Sequence, residues 1–101
     1  MFVRVLRVDV EPDRIAAVVS RYREVVRPIH EQAAGLRRHY LLVDREEGRI
    51  TMLGLWHSHE SLKQVASTLE PARERLWSEF GQTPILETYE VADELEHPPL
   101  P

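Results

Sequence analysis

The strongest hydrophobic pattern in the chain runs from Arg49 to Leu62, with the sequence R-I-T-M-L-G-L-W-H-S-H-E-S-L. Both parities of its first half are apolar, which is typical of a central strand that is covered on its two faces. One face carries Ile50, Met52, Gly54 and Trp56, and the other carries Thr51, Leu53 and Leu55. Ser58 follows as a helix N-cap, so the pattern predicts a strand over residues 49–57 that turns directly into a helix.

Alternation of apolar and β-branched residues predicts three further strands, over residues 2–10, 36–44 and 83–92. The last is the most polar, which indicates an edge strand. Apolar residues recur every three or four positions from Pro12 to Gly35 and from Ser58 to Gly81, and this period predicts two helices. Pro28 and Pro71 lie inside these helices and remove a backbone donor. We expect a kink at Pro28 or a break into a second short segment over residues 28–34, and a second segment that begins at Pro71 and carries Trp77.

The polar segment Arg45-Glu46-Glu47-Gly48 predicts a tight hairpin between the second and third strands. A turn centred between Glu46 and Glu47 fixes the pairing of the two strands: Val43 opposite Ile50, Leu41 opposite Met52, and His39 opposite Gly54. This register brings His39, Gly54 and Trp56 together on one face of the sheet.

The two halves of the chain match at an offset of 47 residues, for example Leu6 with Leu53 and Val18 with Val65. A repeated βαβ unit joined by a hairpin predicts the α+β ferredoxin-like arrangement βαββαβ, a four-stranded antiparallel sheet with two helices on one face. The other face is also apolar, and burying several hundred Å² of it would contribute on the order of 10 kcal/mol before association costs. We therefore expect a homodimer that packs sheet against sheet, a dimeric α/β barrel.

Composition narrows the class of protein. The 101 residues carry a net charge of -4, and the arginines are scattered along the sequence, which argues against nucleic acid as a partner. There is no cysteine, and no apolar run long enough for a signal peptide or a membrane span, so we expect a cytoplasmic protein. Residues 1–93 are predicted to form a single domain, and residues 94–101 an acidic, proline-rich tail.

Two segments, A-A-G-L-R-R-H-Y and L-G-L-W-H-S-H-E-S-L, make the chain resemble the antibiotic biosynthesis monooxygenase family of the dimeric α/β-barrel superfamily. The resemblance covers residues 2–92. It implies a pocket between the sheet and the helices that includes the tryptophan ending the third strand, here Trp56. It also implies oxidation of small aromatic or quinol-type substrates without a metal or flavin, because a deprotonated phenolic substrate can pass an electron to O2 itself.

The chain departs from two branches of the resembling superfamily. Haem-degrading members use an asparagine on the first strand and a histidine on the second helix, but this chain has no asparagine and no histidine between His59 and His97. Haem degradation is therefore not expected. Some members that oxidise polyketides use an asparagine four residues before the tryptophan, where this chain has Met52.

Three side chains are candidates for catalysis: His39, Trp56 and Tyr22. Histidine titrates near neutral pH and could accept a phenolic proton, and Gly54 beside His39 is expected to leave room for a ligand. Trp56 could stack on the substrate, and Tyr22 could donate to a substrate oxygen. Each also has a structural reading: a histidine hydrogen-bonded within the sheet, a tryptophan packed in the core, and a tyrosine packed with its hydroxyl at the rim.

The candidate substrate-binding residues are Met52, Gly54, Arg75 and Trp77. The last two follow Pro71 and could cover a pocket mouth, or could be a solvated arginine and a buried indole. His57 and His59 lack a third ligand at clear spacing, so no metal site is predicted. Two functions remain open, a cofactor-independent monooxygenase and a non-catalytic ligand-binding or interaction module.

Overall fold

Four strands form one antiparallel sheet in the order β2-β3-β1-β4, and the helices lie on one of its faces. The computed structural model describes residues 1–100. The elements are β1 (Phe2–Asp9), a single 3-10 turn (Pro12–Arg14), α1 (Ile15–Val25), α2 (Arg27–Gln32), β2 (Leu36–Asp44), β3 (Arg49–Trp56), α3 (His59–Glu79) and β4 (Ile85–Glu90). The predicted βαββαβ order is confirmed, and β4 is an edge strand as expected.

The β2–β3 hairpin has the predicted register, with Val43 opposite Ile50, and His39 opposite Gly54. The Asp44 carboxylate accepts hydrogen bonds from the backbone N–H groups of the two glutamates in the turn, at 3.2 and 3.0 Å. Gly48 has φ 73°, and a Cβ there would collide with the Val10 carbonyl oxygen. Glycine at this position therefore lets the hairpin close against the end of β1.

Proline has different effects in the two helices. The first helix breaks at Val26, before Pro28, as predicted. In contrast, α3 continues through Pro71, so the expected second segment after this residue is wrong. Buried side chains lie on both sides of the proline, Leu62 and Leu69 before it and Leu76 after it. Because both halves pack against the sheet, tertiary contacts hold α3 as one helix despite the lost hydrogen bond.

The main core lies between the sheet and the helices. Its most deeply buried side chains are Ile15, Val18, Val26, Ile50, Met52, Trp56, Leu69, Leu76 and Trp77. Ser58 caps α3 through a reciprocal capping box with Ser61, in which each serine side chain accepts the backbone N–H of the other at 3.1 Å. The strand and cap that the hydrophobic pattern predicted are therefore both present.

The opposite face of the sheet is apolar and uncovered within the single chain. Leu53 and Leu55 are half-buried there, while Tyr40, Leu42 and Tyr89 are about half exposed. None of the helices in residues 1–100 is long and apolar enough to cross a membrane.

Candidate active site

One row of residues crosses the inner face of the sheet. His39 on β2, Gly54 on β3 and Arg4 on β1 are neighbours in register, and Trp56 lies two residues beyond Gly54. A Cβ added at Gly54 would lie 3.0 Å from Trp56 Nε1 and 3.6 Å from His39 Cδ2. The room expected there for a ligand is therefore occupied, because the glycine accommodates the indole instead.

Tyr22 joins two histidines. Its hydroxyl lies 2.9 Å from His39 Nδ1 and 3.0 Å from His30 Nδ1, and the centroids of the two imidazole rings are 3.9 Å apart. The three side chains come from α1, α2 and β2. The helix break after α1 therefore contributes directly to the site, because His30 belongs to the short segment that follows it.

The Tyr22 hydroxyl has a single hydrogen, and this fact fixes the protonation pattern of the cluster. With both hydrogen bonds formed by neutral rings, the hydroxyl donates to one Nδ1 and accepts from the Nδ1–H of the other histidine. The ring that accepts from the hydroxyl then carries its proton on Nε2, and the ring that donates to it has an unprotonated Nε2. Both Nε2 atoms are buried and have no partner among residues 1–100. The cluster thus holds one unpaired donor and one unpaired acceptor.

Burial controls the charge of these groups. Desolvation, followed by the charges of His39 and Arg73, lowers the pKa of His30 to about 3. Desolvation and then Arg73 lower the pKa of His39 to about 4. Desolvation raises the pKa of Tyr22 to about 12. All three groups are therefore neutral at neutral pH, and a neutral imidazole is the form that can accept a proton.

Two partly buried arginines, Arg4 on β1 and Arg73 on α3, bring positive charge between the sheet and the helices. Burial, together with the charge of Arg4, lowers the pKa of Arg73 to about 10, which leaves it protonated at neutral pH. The nearest carboxylate is that of Glu70, 4.0 Å from Arg4 and more than half exposed. The Nε atoms of both arginines are buried without a hydrogen-bond partner within the described residues. The interior therefore carries more positive charge than its single acidic neighbour balances.

A cavity of about 550 Å³ opens beside the two histidines, between helices α1 and α2 on one side and the edge strand β2 on the other. Tyr22, His30 and His39 line it together with apolar side chains such as Leu41. Its volume lies within the range of small-molecule sites. A second cavity, of about 410 Å³, lies between α3 and β4 and is lined by Arg73 and Trp77, among others.

The candidate residues occupy different environments. Tyr22 and His39 meet at the first cavity, whereas Met52 and Trp56 are fully buried in the core. Trp77 is buried at the second cavity. Arg75 lies on the exposed side of α3 and lines neither of the two cavities.

Sequence reasoning missed His30, Arg4 and Arg73. Each nevertheless occupies a position that the hydrophobic period assigns to the interior. His30 follows Val26 by four residues, Arg73 follows Leu69 by four, and Arg4 has the parity of Leu6. The sequence therefore did contain a signal for these residues: each is a polar residue at a position where the helix or strand repeat predicts a buried apolar one.

His57 and His59 are both exposed, and the ring of His59 lies 5.3 Å from that of Phe2. Across residues 1–100, no three side chains of histidine, aspartate or glutamate are grouped so that they could hold a metal ion.

The fold and the inner cavities define a ferredoxin-like α+β protein with a candidate small-molecule site. The sequence profile of the antibiotic biosynthesis monooxygenase family matches residues 1–70, and the chain belongs to this family.

Solved structures share the fold at low sequence identity. A dimeric ferredoxin-like protein from an uncultured marine organism aligns with a TM-score of 0.78 at 21% identity, covering 96% of this chain and 100% of that one. A mutant of SnoaB, a cofactor-independent oxygenase from Streptomyces nogalater, aligns with a TM-score of 0.72 at 18% identity, covering 95% and 97%.

Among curated sequences, the uncharacterized protein Rv2557 of Mycobacterium tuberculosis is 28% identical over 92 residues, which cover 91% of this chain. The chain spans about two-fifths of the length of that relative (41%).

The buried histidines predict a specific dependence of stability on pH. Their folded pKa values of about 3 and 4 lie below the value of 6.5 for a free histidine, so the unfolded chain binds more protons between these limits. The free energy of unfolding should therefore fall as the pH drops below 6.5, by about 1.4 kcal/mol per pH unit for each histidine. Urea unfolding between about pH 7.5 and 4.5 measures this slope.

Two variants are compared with wild type in this measurement. The test is the double variant His30→Asn/His39→Asn, and the control is His97→Asn, since His97 is exposed. The double variant should have a shallower slope than wild type, and His97→Asn should keep the wild-type slope. Equal slopes in all three proteins would contradict the assignment of two neutral buried histidines.

Removing the Tyr22 hydroxyl should destabilise the fold. The variant Tyr22→Phe keeps the ring but leaves both Nδ1 atoms without their partner, and a buried unpaired polar group typically costs about 1 to 3 kcal/mol. We expect a loss of about 2 kcal/mol or more in the free energy of unfolding at pH 7.5. Ser67→Ala is the control because it removes an exposed hydroxyl from α3, away from both faces of the sheet. A stability equal to that of the control would rule out a structural role for the bridge.

Proposed function

We propose that the protein is a homodimer that binds a small aromatic molecule and oxidises phenolic or quinol-type substrates with O2, without a metal or organic cofactor. The observation that carries this proposal is the Tyr22 hydroxyl bridging two neutral histidines beside a cavity of about 550 Å³. Membership of the antibiotic biosynthesis monooxygenase family supports the class of reaction. So does the shared fold of SnoaB, which is itself a cofactor-independent oxygenase.

The proposed reaction begins with removal of a proton from the substrate. His39 is the base, since it lines the cavity and is less deeply buried than His30. Its Nε2 is buried in this structure, so a substrate reaches it only when the side chains that cover it move. To accept a proton at Nε2, His39 must carry its hydrogen on Nδ1 and donate it to the Tyr22 oxygen. The Tyr22 hydroxyl then donates to His30 Nδ1, so His30 selects the reactive tautomer of His39 through the tyrosine.

The remaining steps balance without an external reductant. The deprotonated substrate passes an electron to O2, and the two radicals combine to form a C–O bond and, after protonation, a hydroperoxide. Loss of water from a hydroperoxide that bears hydrogen on the same carbon leaves a carbonyl group. One oxygen atom of O2 thus enters the product and the other leaves as water, and the proton held by the histidines returns to the departing oxygen.

The other candidate residues have supporting roles in this proposal. Trp56 is 1% exposed and packs over Gly54 beside His39, so it serves as a wall of the site, and Met52 packs behind it in the same core. Stacking of Trp56 on a substrate would require the indole to leave this position. Trp77 belongs to the second cavity, and Arg75 would reach a ligand only from the protein surface.

The second candidate function is a non-catalytic ligand-binding module with the same cavity. One observation favours it: the low pKa values of His30 and His39 make both imidazoles weak bases in the unliganded protein. Since general-base catalysis is most effective when the pKa of the base lies near the working pH, binding without reaction is a consistent alternative.

Consumption of O2 separates the two functions. A screen of quinols and hydroxyanthracenes with an oxygen electrode should find a substrate that wild type oxidises and His39→Ala oxidises at least about a hundredfold more slowly, the typical contribution of a general base. His97→Ala, an exposed histidine, should retain wild-type rates. No uptake, or equal uptake by wild type and His39→Ala, would remove the catalytic proposal and leave the binding module.

The homodimer is supported by the uncovered apolar face of the sheet. Leu42 is 46% exposed on this face, on the edge strand β2, and a carboxylate placed there would be buried in the proposed interface. Leu42→Glu should therefore shift the protein from dimer to monomer in sedimentation velocity at micromolar concentration. Ala17→Glu adds the same charge to an exposed position of α1 and should leave the dimer intact. A monomeric wild-type protein would disprove this assembly.

A further inference from the structure

Five of the twelve arginines line the cavity beside the histidines. Arg23 and Arg27 come from consecutive turns at the junction of α1 and α2, and Arg37, Arg38 and Arg45 come from the two ends of β2. Glu31 is the only acidic residue among the lining side chains. Four positive charges are therefore in excess at one cavity of a chain whose net charge is -4.

The arginines of this cavity are largely free of internal partners. Arg27 pairs with Glu31 at 3.2 Å, and both side chains are more than half exposed. Within residues 1–100, no ion pair is formed by Arg23, Arg37, Arg38 or Arg45. The Arg37 guanidinium donates a hydrogen bond to the Met1 sulfur. Like charges held together without counter-charges repel one another, so this arrangement favours an anion from outside the chain.

A second, independent observation supports a ligand at the same cavity. The His30 ring lines it and is 6% exposed, and its Nε2 has no partner in the described part of the chain. Apolar side chains, including Val19 and Leu36, complete the wall. The cavity therefore combines an apolar and aromatic interior with a rim of guanidinium groups, which matches a molecule with a flat apolar body and a charged substituent.

We propose that this cavity binds an aromatic substrate that carries a carboxylate or phosphate group, with the ring beside Tyr22 and His39 and the anionic group held by the arginine rim. The proposal rests on the proposed function only in treating the cavity as the substrate site; recognition of the anion does not depend on catalysis. A nucleic acid does not fit, because the site is a small concavity in a chain of negative net charge.

Three probes with the same naphthalene ring test the proposal by isothermal titration calorimetry at pH 7.5: 1-hydroxy-2-naphthoate, 1-naphthyl phosphate and neutral 1-naphthol. At about 0.05 M salt, at least one anionic probe should bind tenfold or more tightly than 1-naphthol, and about 0.5 M salt should reduce this advantage. The anion that binds more tightly identifies the carboxylate or the phosphate as the recognised group.

Exposed arginines provide matched variants. Arg23→Gln and Arg45→Gln alter opposite sides of the rim and should each weaken binding of the preferred anion about tenfold, while binding of 1-naphthol stays as in wild type. Arg49→Gln removes the same charge outside this cavity and should change neither.

Three results would overturn the proposal: binding of 1-naphthol as tightly as both anions, no binding of either anion, or an equal effect of Arg49→Gln and the two rim variants. Failure of the O2-uptake screen with anion binding intact would remove only the oxygenase. Uptake of O2 with neutral substrates and no anion preference would remove only the present proposal.

Discussion

The register of the β2–β3 hairpin is the constraint on which the rest of the structure depends. Adjacent residues of a strand point to opposite faces, so a slip of one residue in β2 would move His39 to the outer face of the sheet, away from Tyr22. Two features prevent this slip. Asp44 fixes the turn through two backbone N–H groups, and Gly48 lets the turn close against the end of β1. The face on which His39 lies is thus determined by the turn at the end of its strand.

The pairing of β1 and β2 with β3 places two polar side chains on the inner face of the sheet. Arg4 and His39 occupy inner positions of their strands, where burial without a partner costs free energy. His39 recovers part of this cost through the Tyr22 hydroxyl, and His30 shares that hydroxyl from the other side. Arg4 has only a distant, exposed glutamate. A folded chain that keeps such groups inside has retained polar side chains where apolar ones would pack more stably, and this is the pattern expected at a functional site.

Sequence patterns predicted most of the fold because its elements are specified locally. The hairpin pairing followed from the position of the turn, and the α3 cap from Ser58. The continuity of α3 through Pro71 was not predictable in this way, since it depends on burial of both halves of the helix against the sheet. For the site, the sequence indicated Tyr22 and His39 but not their bridge to His30. The helix break was predicted, but the packing of α2 beside β2 that brings His30 to Tyr22 depends on tertiary contacts.

The net charge of -4 gave no indication of the arginine cluster at the cavity. Arginines that are spread through the sequence, such as Arg23 and Arg45, converge on one cavity only after α1 and β2 come together. Binding of the proposed anion there would be coupled to protonation of the histidines. The unliganded histidines have low pKa values because burial and nearby positive charge oppose their protonation. An anion bound in the cavity would partly cancel that charge and raise the pKa of His39, so that the imidazole becomes a stronger base when a charged substrate is present. By linkage, protonation of the histidine would then tighten binding of the anion by the same factor.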